Sequence, residues 1–430
     1  MKVRYLAVNV LDAARQRIDR VLTDFEYCYV SFSGGKDSGV LLNLALERAR
    51  AAGKRIGVFH IDYEAQYQKT TQYVAETLAD LRGECDIYHV CLPLTTPCAT
   101  SMHQATWVPW NPAERDIWVR EMPDGAITLD DPPDCFSEGL EDYEFQEHFG
   151  GWLRAHLGVD SVCCLVGIRA QESLNRWRAI ARTDRVGLHD GLAWTRTVEP
   201  GVMNAYPIYD WQVEDVWTAN SRMGWRYNTL YDLMHQAGLA PAQMRVASPF
   251  ISQGMNSLKL YRAIEPDTWA RLVGRVNGVN FAGIYGGTTA MGWKSIQCPP
   301  GHTWKSYMEF LLSTLPSEVA DNYRAKLATS IAFWRDRGGV LPESAVNDLR
   351  AAGVSFSTRA STSYNTAKPT VLFDAYPDDA DIAAFSLVPS YKRMCVCIMK
   401  NDHTCKYMGF ARTLRERTLR EEAIKKYEAL

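Results

Sequence analysis

Six consecutive residues, Ser33-Gly34-Gly35-Lys36-Asp37-Ser38, place two glycines, two hydroxyls, an ammonium and a carboxylate between an apolar run at 27–32 and a helical pattern at 39–52. A strand that ends in a glycine turn and opens directly into a helix aims several backbone N–H groups at one point. The positive end of the helix dipole points there too, which makes a ready anion site. Gly34 and Gly35 let the chain turn sharply and let a phosphate touch the backbone. Lys36 adds a point charge, and Ser33 and Ser38 offer hydroxyl donors. The loop is not a Walker A, because Asp37 stands where that motif requires Ser or Thr after Gly-Lys. Chemistry different from that of kinases and GTPases is expected.

Other groups could share that site. Asp62-Tyr63-Glu64 follow a second apolar run at 56–61. Asp62 and Glu64 could hold ribose hydroxyls or magnesium, or could cap the following helix. Gly167-Ile168-Arg169-Ala170-Gln171-Glu172-Ser173 follow the apolar run at 161–166, with Arg176 and Arg178 beyond. At a strand end the fork of Arg169 can grip a phosphate bidentately. Arg176 lies about one helical turn beyond Glu172, which suits either a phosphate contact or an intrahelical ion pair. Cys395, Cys397, His403 and Cys405 form a compact cluster whose side chains are those that bind zinc or an iron–sulfur cluster. The alternation of Cys395 and Cys397 equally suits one face of a buried strand.

The elements that must position these groups read as strand–helix alternation. Leu11, Ala14, Ile18, Val21, Leu22 and Phe25 recur at helical spacing, with Asn9 as N-cap. Strands are expected at 27–32, 56–61, 86–90 and 161–166, with helices at 39–52 and 68–82. Cys163 and Cys164 should fill the sheet core. This order predicts right-handed βαβ units and a parallel sheet, with ligands at the carboxyl ends of strands beside the topological switch point. Residues 92–138 read as an irregular, proline-rich insert forming a substrate wall, a lid or a surface excursion. Beyond about residue 260 the alternation fades into helical patterns at 304–315 and 317–337 and a charged closing helix at 413–430. The expected division is therefore a Rossmann-like α/β domain at 1–260 and a mainly helical accessory domain at 261–430.

The loop resembles the SGGxDS signature of the PP-loop ATP pyrophosphatase superfamily, and within it the phosphoadenosine-phosphosulfate (PAPS) reductase-like branch. Residues 167–176 resemble that branch's Gly-x-Arg-x-x-Glu-Ser…Arg segment. Tyr206-Pro207-Ile208-Tyr209-Asp210-Trp211 with Glu214-Asp215-Val216-Trp217 resemble its Pro-[ILV]-x-Asp-Trp segment, in which Asp210 and Asp215 suit a helix start. Met244-Arg245-Val246 also fits, making Arg245 a candidate anion contact. The resemblance implies that the loop holds the β,γ-pyrophosphate of Mg-ATP while a nucleophile attacks the α-phosphorus. Lys36 and the loop amides would stabilise the departing pyrophosphate, Asp37 would hold the loop or the metal, and Arg169 would position the α-phosphate or an anionic acceptor. The Glu-Cys-Gly-Leu-His segment of sulfonucleotide reductases is absent, which disfavours true PAPS reduction. A sulfonucleotide-handling protein and a nucleotide-sensing regulator are the alternatives. The C-terminal part resembles an uncharacterised domain whose bacterial relatives are often encoded beside a ParB-like partner.

Composition sets the outer bounds. The chain has 430 residues, 47% of them apolar, and a net charge of −3, so a large core is expected and a generally basic, nucleic-acid-coating surface is not. The arginines of the closing segment suit a solvated face or a local nucleic-acid contact. No apolar run approaches the ~18 residues of a membrane span. Eleven scattered cysteines do not resemble a secreted disulfide framework, which points to a reduced cytoplasmic setting.

Overall fold

The computed structural model describes residues 7–172, 176–177, 180, 187–251, 254–285, 296, 298–359, 370–379, 382 and 387–408. Arg178 and the closing charged segment lie outside the described residues. The chain divides into two compact units. One comprises residues up to Thr96, Trp107–Pro249 and Ser257–Arg275; the other comprises Pro97–Thr106, Phe250–Asn256 and the chain from Val276.

In the first unit, α1 (Val10–Asp24) starts where the Asn9 side chain accepts the Asp12 N–H at 2.9 Å. It buries Ala14, Ile18, Val21 and Leu22. Then follow β1 (Tyr27–Ser31), α2 (Lys36–Ala51), β2 (Gly57–Ile61), α3 (Gln68–Leu81) and β3 (Asp86–Val90). After the insert come α4 (Asp142–Leu157), β4 (Val162–Val166), β5 (Thr195–Glu199), β6 (Val202–Ala205), α5 (Val213–Met223), α6 (Leu230–Gln236) and α7 (Pro266–Arg275). The sheet order is β3-β2-β1-β4-β6-β5, parallel throughout except for the antiparallel edge strand β5.

Both faces of this sheet are covered, which is why its central strands are apolar on both sides. On one face Val30, Val58 and Cys163 pack with α1, α2 and α3. On the other, Tyr29, Phe59 and Cys164 pack with Phe145, Phe149 and Leu153 of α4. Adjacent Cys163 and Cys164 thus fill opposite layers, as strand alternation dictates. The hairpin β5–β6 adds a fifth parallel strand and the antiparallel edge, neither of which is expected from the apolar pattern. At α5 Gln212 is the N-cap, and Asp215 closes a capping box by accepting the Gln212 N–H at 2.8 Å. Asp210 plays no such part; it takes both ends of Arg17 at 2.7 Å.

The second unit holds α8 (Trp304–Ser313), α9 (Ser317–Asp336), α10 (Glu343–Ala351) and α11 (Tyr391–Met399). It also holds a small antiparallel sheet of β7 (Gly339–Val340), β8 (Ser357–Arg359) and β9 (Thr370–Leu372), in the order β8-β9-β7. Trp304, Met308, Leu312, Tyr323, Met394 and Ile398 form one of its cores. The strip 97–106 belongs here. Asn401 Nδ2 donates to the Ala99 carbonyl, and a ring nitrogen of His403 meets the Ser101 carbonyl, both at 3.2 Å. Among the described residues no helix is long and apolar enough to cross a membrane.

Candidate functional site

Strand β1 lies between β2 and β4, so the chain leaves it toward opposite sides and a crevice opens at its carboxyl end. Residues 33–38 and 167–172 meet there. Gly34 has φ +73°, and a Cβ at that position would lie 2.7 Å from a methyl of Val74. Its carbonyl accepts from Asn228 Nδ2 at 3.0 Å, and the same amide reaches Thr70 Oγ1 at 2.9 Å. Gly167 lets the two strand ends close together, since a Cβ would sit 3.1 Å from the Asp37 carbonyl carbon and the Ser38 nitrogen. Gly34→Ala is expected to cost about 1–3 kcal/mol and to weaken anion binding, because both backbone region and space forbid the methyl. Thermal unfolding and phosphate titration of the variant would measure the two effects.

Hydroxyls tie the turn. Ser38 Oγ accepts the Ser33 N–H at 3.2 Å and lies 3.0 Å from Ser33 Oγ, while donating to the Gly35 carbonyl at 3.1 Å. The Lys36 N–H, one of the first free amides of α2, donates to the Tyr231 hydroxyl at 3.0 Å.

Charge converges on Asp37. Arg169 Nε reaches one of its oxygens at 2.5 Å and Lys36 Nζ the other at 3.3 Å. Lys36 Nζ also donates to the Met244 carbonyl at 3.2 Å. Arg169 is further braced by Gln171, whose amide oxygen accepts from it at 3.2 Å and from the Val213 N–H at 3.0 Å. Arg245 donates to the Glu172 carbonyl at 3.0 Å, and Arg176 contacts the carboxylate of Glu172, four residues before it. Burial pushes the Lys36 ammonium below its ordinary range, opposed by Asp37 and reinforced by Arg169 and Arg245. Arg176 is pushed down in the same way by burial, by Arg245 and by Arg169. Four cations therefore crowd two carboxylates, Asp37 and Glu172. A site with that surplus is built to accept negative charge.

Asp62 and Glu64 do not serve the roles expected of them. The Asp62 carboxylate is 3% exposed and engaged by Arg120 and by His89 at 3.1 Å. Burial pushes it up, but Arg120 and His89 together hold it well below the usual carboxylate range. Glu64 is fully buried. Each of its oxygens takes two donors: the Val119 N–H and Arg275 Nε at 2.9 and 2.8 Å, and the Trp110 N–H and Arg275 Nη2 at 2.8 and 3.1 Å. No acceptor remains for a ribose hydroxyl. Neither carboxylate caps α3, whose first amides, of Gln68 and Lys69, are taken by Glu265 at 2.8 and 3.2 Å. These contacts, with Trp110 Nε1 on the Asp62 carbonyl at 2.7 Å, tie residues 107–120 of the insert to the carboxyl end of β2. Magnesium does not fit these side chains: arginines hold Asp37 and Glu64, and Asp62 stands beside two imidazoles, whereas magnesium prefers oxygen ligands.

The expected cysteine–histidine ligand set is not assembled. Cys395 and Cys397 lie on α11, not on a strand, and two residues apart on a helix they face different ways. Cys395 Sγ contacts the Trp304 carbonyl at 3.6 Å, and His403 engages Ser101. No three of Cys395, Cys397, His403 and Cys405 gather within 4.8 Å. Burial pushes the Cys85 thiol up to about 11 and the Cys395 thiol up to about 12, which is the wrong direction for a nucleophile. Tyr231, Asn228, Gln171 and the Met244 carbonyl are site residues that local spacing could not reveal. The signals were that Gln171 and Met244 fall in segments, 167–176 and 244–246, that resemble the family pattern.

Comparison with known proteins fits this architecture. Residues 27–237 match the family described as phosphoadenosine phosphosulfate reductase domain, and residues 238–419 match a domain of unknown function, DUF3440. The uncharacterized protein YbdN of Escherichia coli (strain K12) is 35% identical over 415 residues, spanning 95% of this chain and 92% of that protein. Among solved structures, the phosphate complex of PAPS reductase from Candida auris aligns at 13% identity and a TM-score of 0.28. That alignment spans 54% of this chain and 95% of the reductase. The U34-tRNA thiolase NcsA of Methanococcus maripaludis, which carries a [4Fe-4S] cluster, aligns at 12% identity and a TM-score of 0.31, over 63% and 78% of the two chains. On the sequence matches across its length, the chain belongs to the PAPS reductase-like, PP-loop family in which this domain is joined to DUF3440.

Proposed function

We propose that the chain binds an adenine nucleoside triphosphate at the crevice and cleaves it between the α- and β-phosphates, adenylylating an acceptor and releasing pyrophosphate. The observation that supports this reading is the convergence of Lys36, Arg169, Arg176 and Arg245 on the amino end of α2 at the switch point. The loop amides and Lys36 would carry the charge that grows on the departing pyrophosphate, typically the largest catalytic contribution. Arg169, with Arg245 beside it, would hold the α-phosphate or an anionic acceptor in line. Asp37 is a positioning residue in this scheme, since it fixes both Lys36 and Arg169.

The family match favours a second ligand, a sulfonucleotide, bound at the same cations. The raised thiols speak against its reduction by this chain. A third reading is nucleotide sensing without turnover, with a ParB-like partner.

Calorimetry with ATP and with adenosine phosphosulfate, followed by product analysis, separates the three. Pyrophosphate is expected from ATP, with one AMP unit per pyrophosphate recovered on the acceptor, or as free AMP where water takes the acceptor's place. ADP and phosphate, or no heat with any adenine nucleotide, would overturn the proposal. Tight binding without pyrophosphate release would favour the sensor.

A further inference from the structure

His60, Asp62 and His89 place three donor atoms within 4.8 Å of one another on the sheet. Their grouping follows from register. His60 of β2 is paired directly with His89 of β3, and Asp62 lies two residues beyond His60, so all three side chains emerge on one face. The frame is rigid, because two of the three stand on paired strands and the third directly follows one. A tetrahedral cation with nitrogen and oxygen donors wants them about 3.3 Å apart, and His89 Nε2 and the Asp62 carboxylate already stand 3.1 Å apart.

The second layer of contacts also has the form of a metal site. His60 is 2% exposed, and its Nδ1 lies 2.7 Å from the Phe32 carbonyl. A carbonyl can only accept, so Nδ1 carries the proton and Nε2 keeps its lone pair. Histidine ligands are commonly oriented in this manner. His89 meets Asp62 through Nε2 at 3.1 Å, and that nitrogen would give up its proton as a cation enters.

We propose that His60, Asp62 and His89 bind one divalent cation of the zinc class at the carboxyl ends of β2 and β3. Two imidazoles and one carboxylate favour such an ion over magnesium, which prefers oxygen ligands and retained water. Three protein donors leave a fourth position open to a ligand.

Arg120 is the competitor. Its guanidinium stands on Asp62, with Nε on the Glu64 carbonyl at 3.1 Å and its ring neighbour Trp110 at 5.0 Å. Metal and guanidinium draw on the same carboxylate charge, so removing Arg120 should tighten the metal. This site uses none of the residues assigned to the phosphates, and it stands or falls without them.

The test is titration of the chelator-stripped, full-length protein with cobalt(II) alone, followed by visible absorption and elemental analysis. One equivalent should bind with a ligand-field band, and zinc should displace it. His89→Gln and His60→Gln should each weaken binding at least tenfold, and Arg120→Gln should strengthen it several-fold. Thermal melts check that each variant is folded. No band in the wild-type protein, or an unchanged affinity in whichever histidine variant remains folded, overturns the proposal.

Discussion

Lys36→Ala is expected to lower pyrophosphate release by roughly 10²–10³-fold while leaving the fold in place. The ammonium lies where the helix dipole and the loop amides already point, so its loss removes charge stabilisation from the departing group. The fold should survive because Arg169 keeps its 2.5 Å contact to Asp37 and the turn is held by Ser38, Asn228 and Tyr231. Asp37→Asn should give a comparable loss by releasing both Lys36 and Arg169. Asp37→Ala should in addition destabilise, since it strands buried cations. Product release by coupled assay and circular dichroism of the same samples decide the matter. Normal turnover in Lys36→Ala would sink the proposed chemistry.

The largest stability effect is expected at a residue the nucleotide does not need. Glu64→Gln should cost about 3–5 kcal/mol, because Arg275 then loses its buried counter-charge and keeps only the partly exposed Glu114, at 2.8 Å. The Glu64 and Arg275 side chains are 0% and 1% exposed, so water cannot compensate. An amide nitrogen would also face donors: Arg275 with a main-chain N–H of Trp110 or Val119. The melting temperature should fall by about 10 °C. Arg275→Met combined with Glu64→Gln should recover part of the loss, since removing both charges leaves neither stranded. Thermal unfolding of the two variants measures the difference.

The crevice was legible where chemistry and backbone are written in one stretch. Residues 33–38 announce strand, turn and helix together, and Gly167–Arg169 sits at the end of an equally clear apolar run. Asp62 and Glu64 were misread because a carboxylate after a strand looks the same whether a ligand or an arginine faces it. The partners that decide, Arg120 and Arg275, are remote in the chain. Likewise the hairpin Thr195–Glu199 and Val202–Ala205 is short and partly polar, so its pairing depends on an existing sheet edge rather than on pattern. Cys395 and Cys397 had two expected settings, strand or metal; a helix packed by Trp304 and Tyr323 supplied a third.

The strip 97–106 interrupts the PAPS reductase-like part, yet its carbonyls at Ala99 and Ser101 are met by Asn401 and His403, and its Thr100 backbone lies against Gly278. Scissors applied once near residue 260 would therefore release an amino-terminal fragment with bare, sticky backbone, and a carboxyl-terminal one missing a piece of its interior. Such fragments should precipitate when made singly and become tractable only when synthesised side by side. Anyone wishing to transplant the PAPS reductase-like part onto another protein would first have to replace that strip with a short hydrophilic turn.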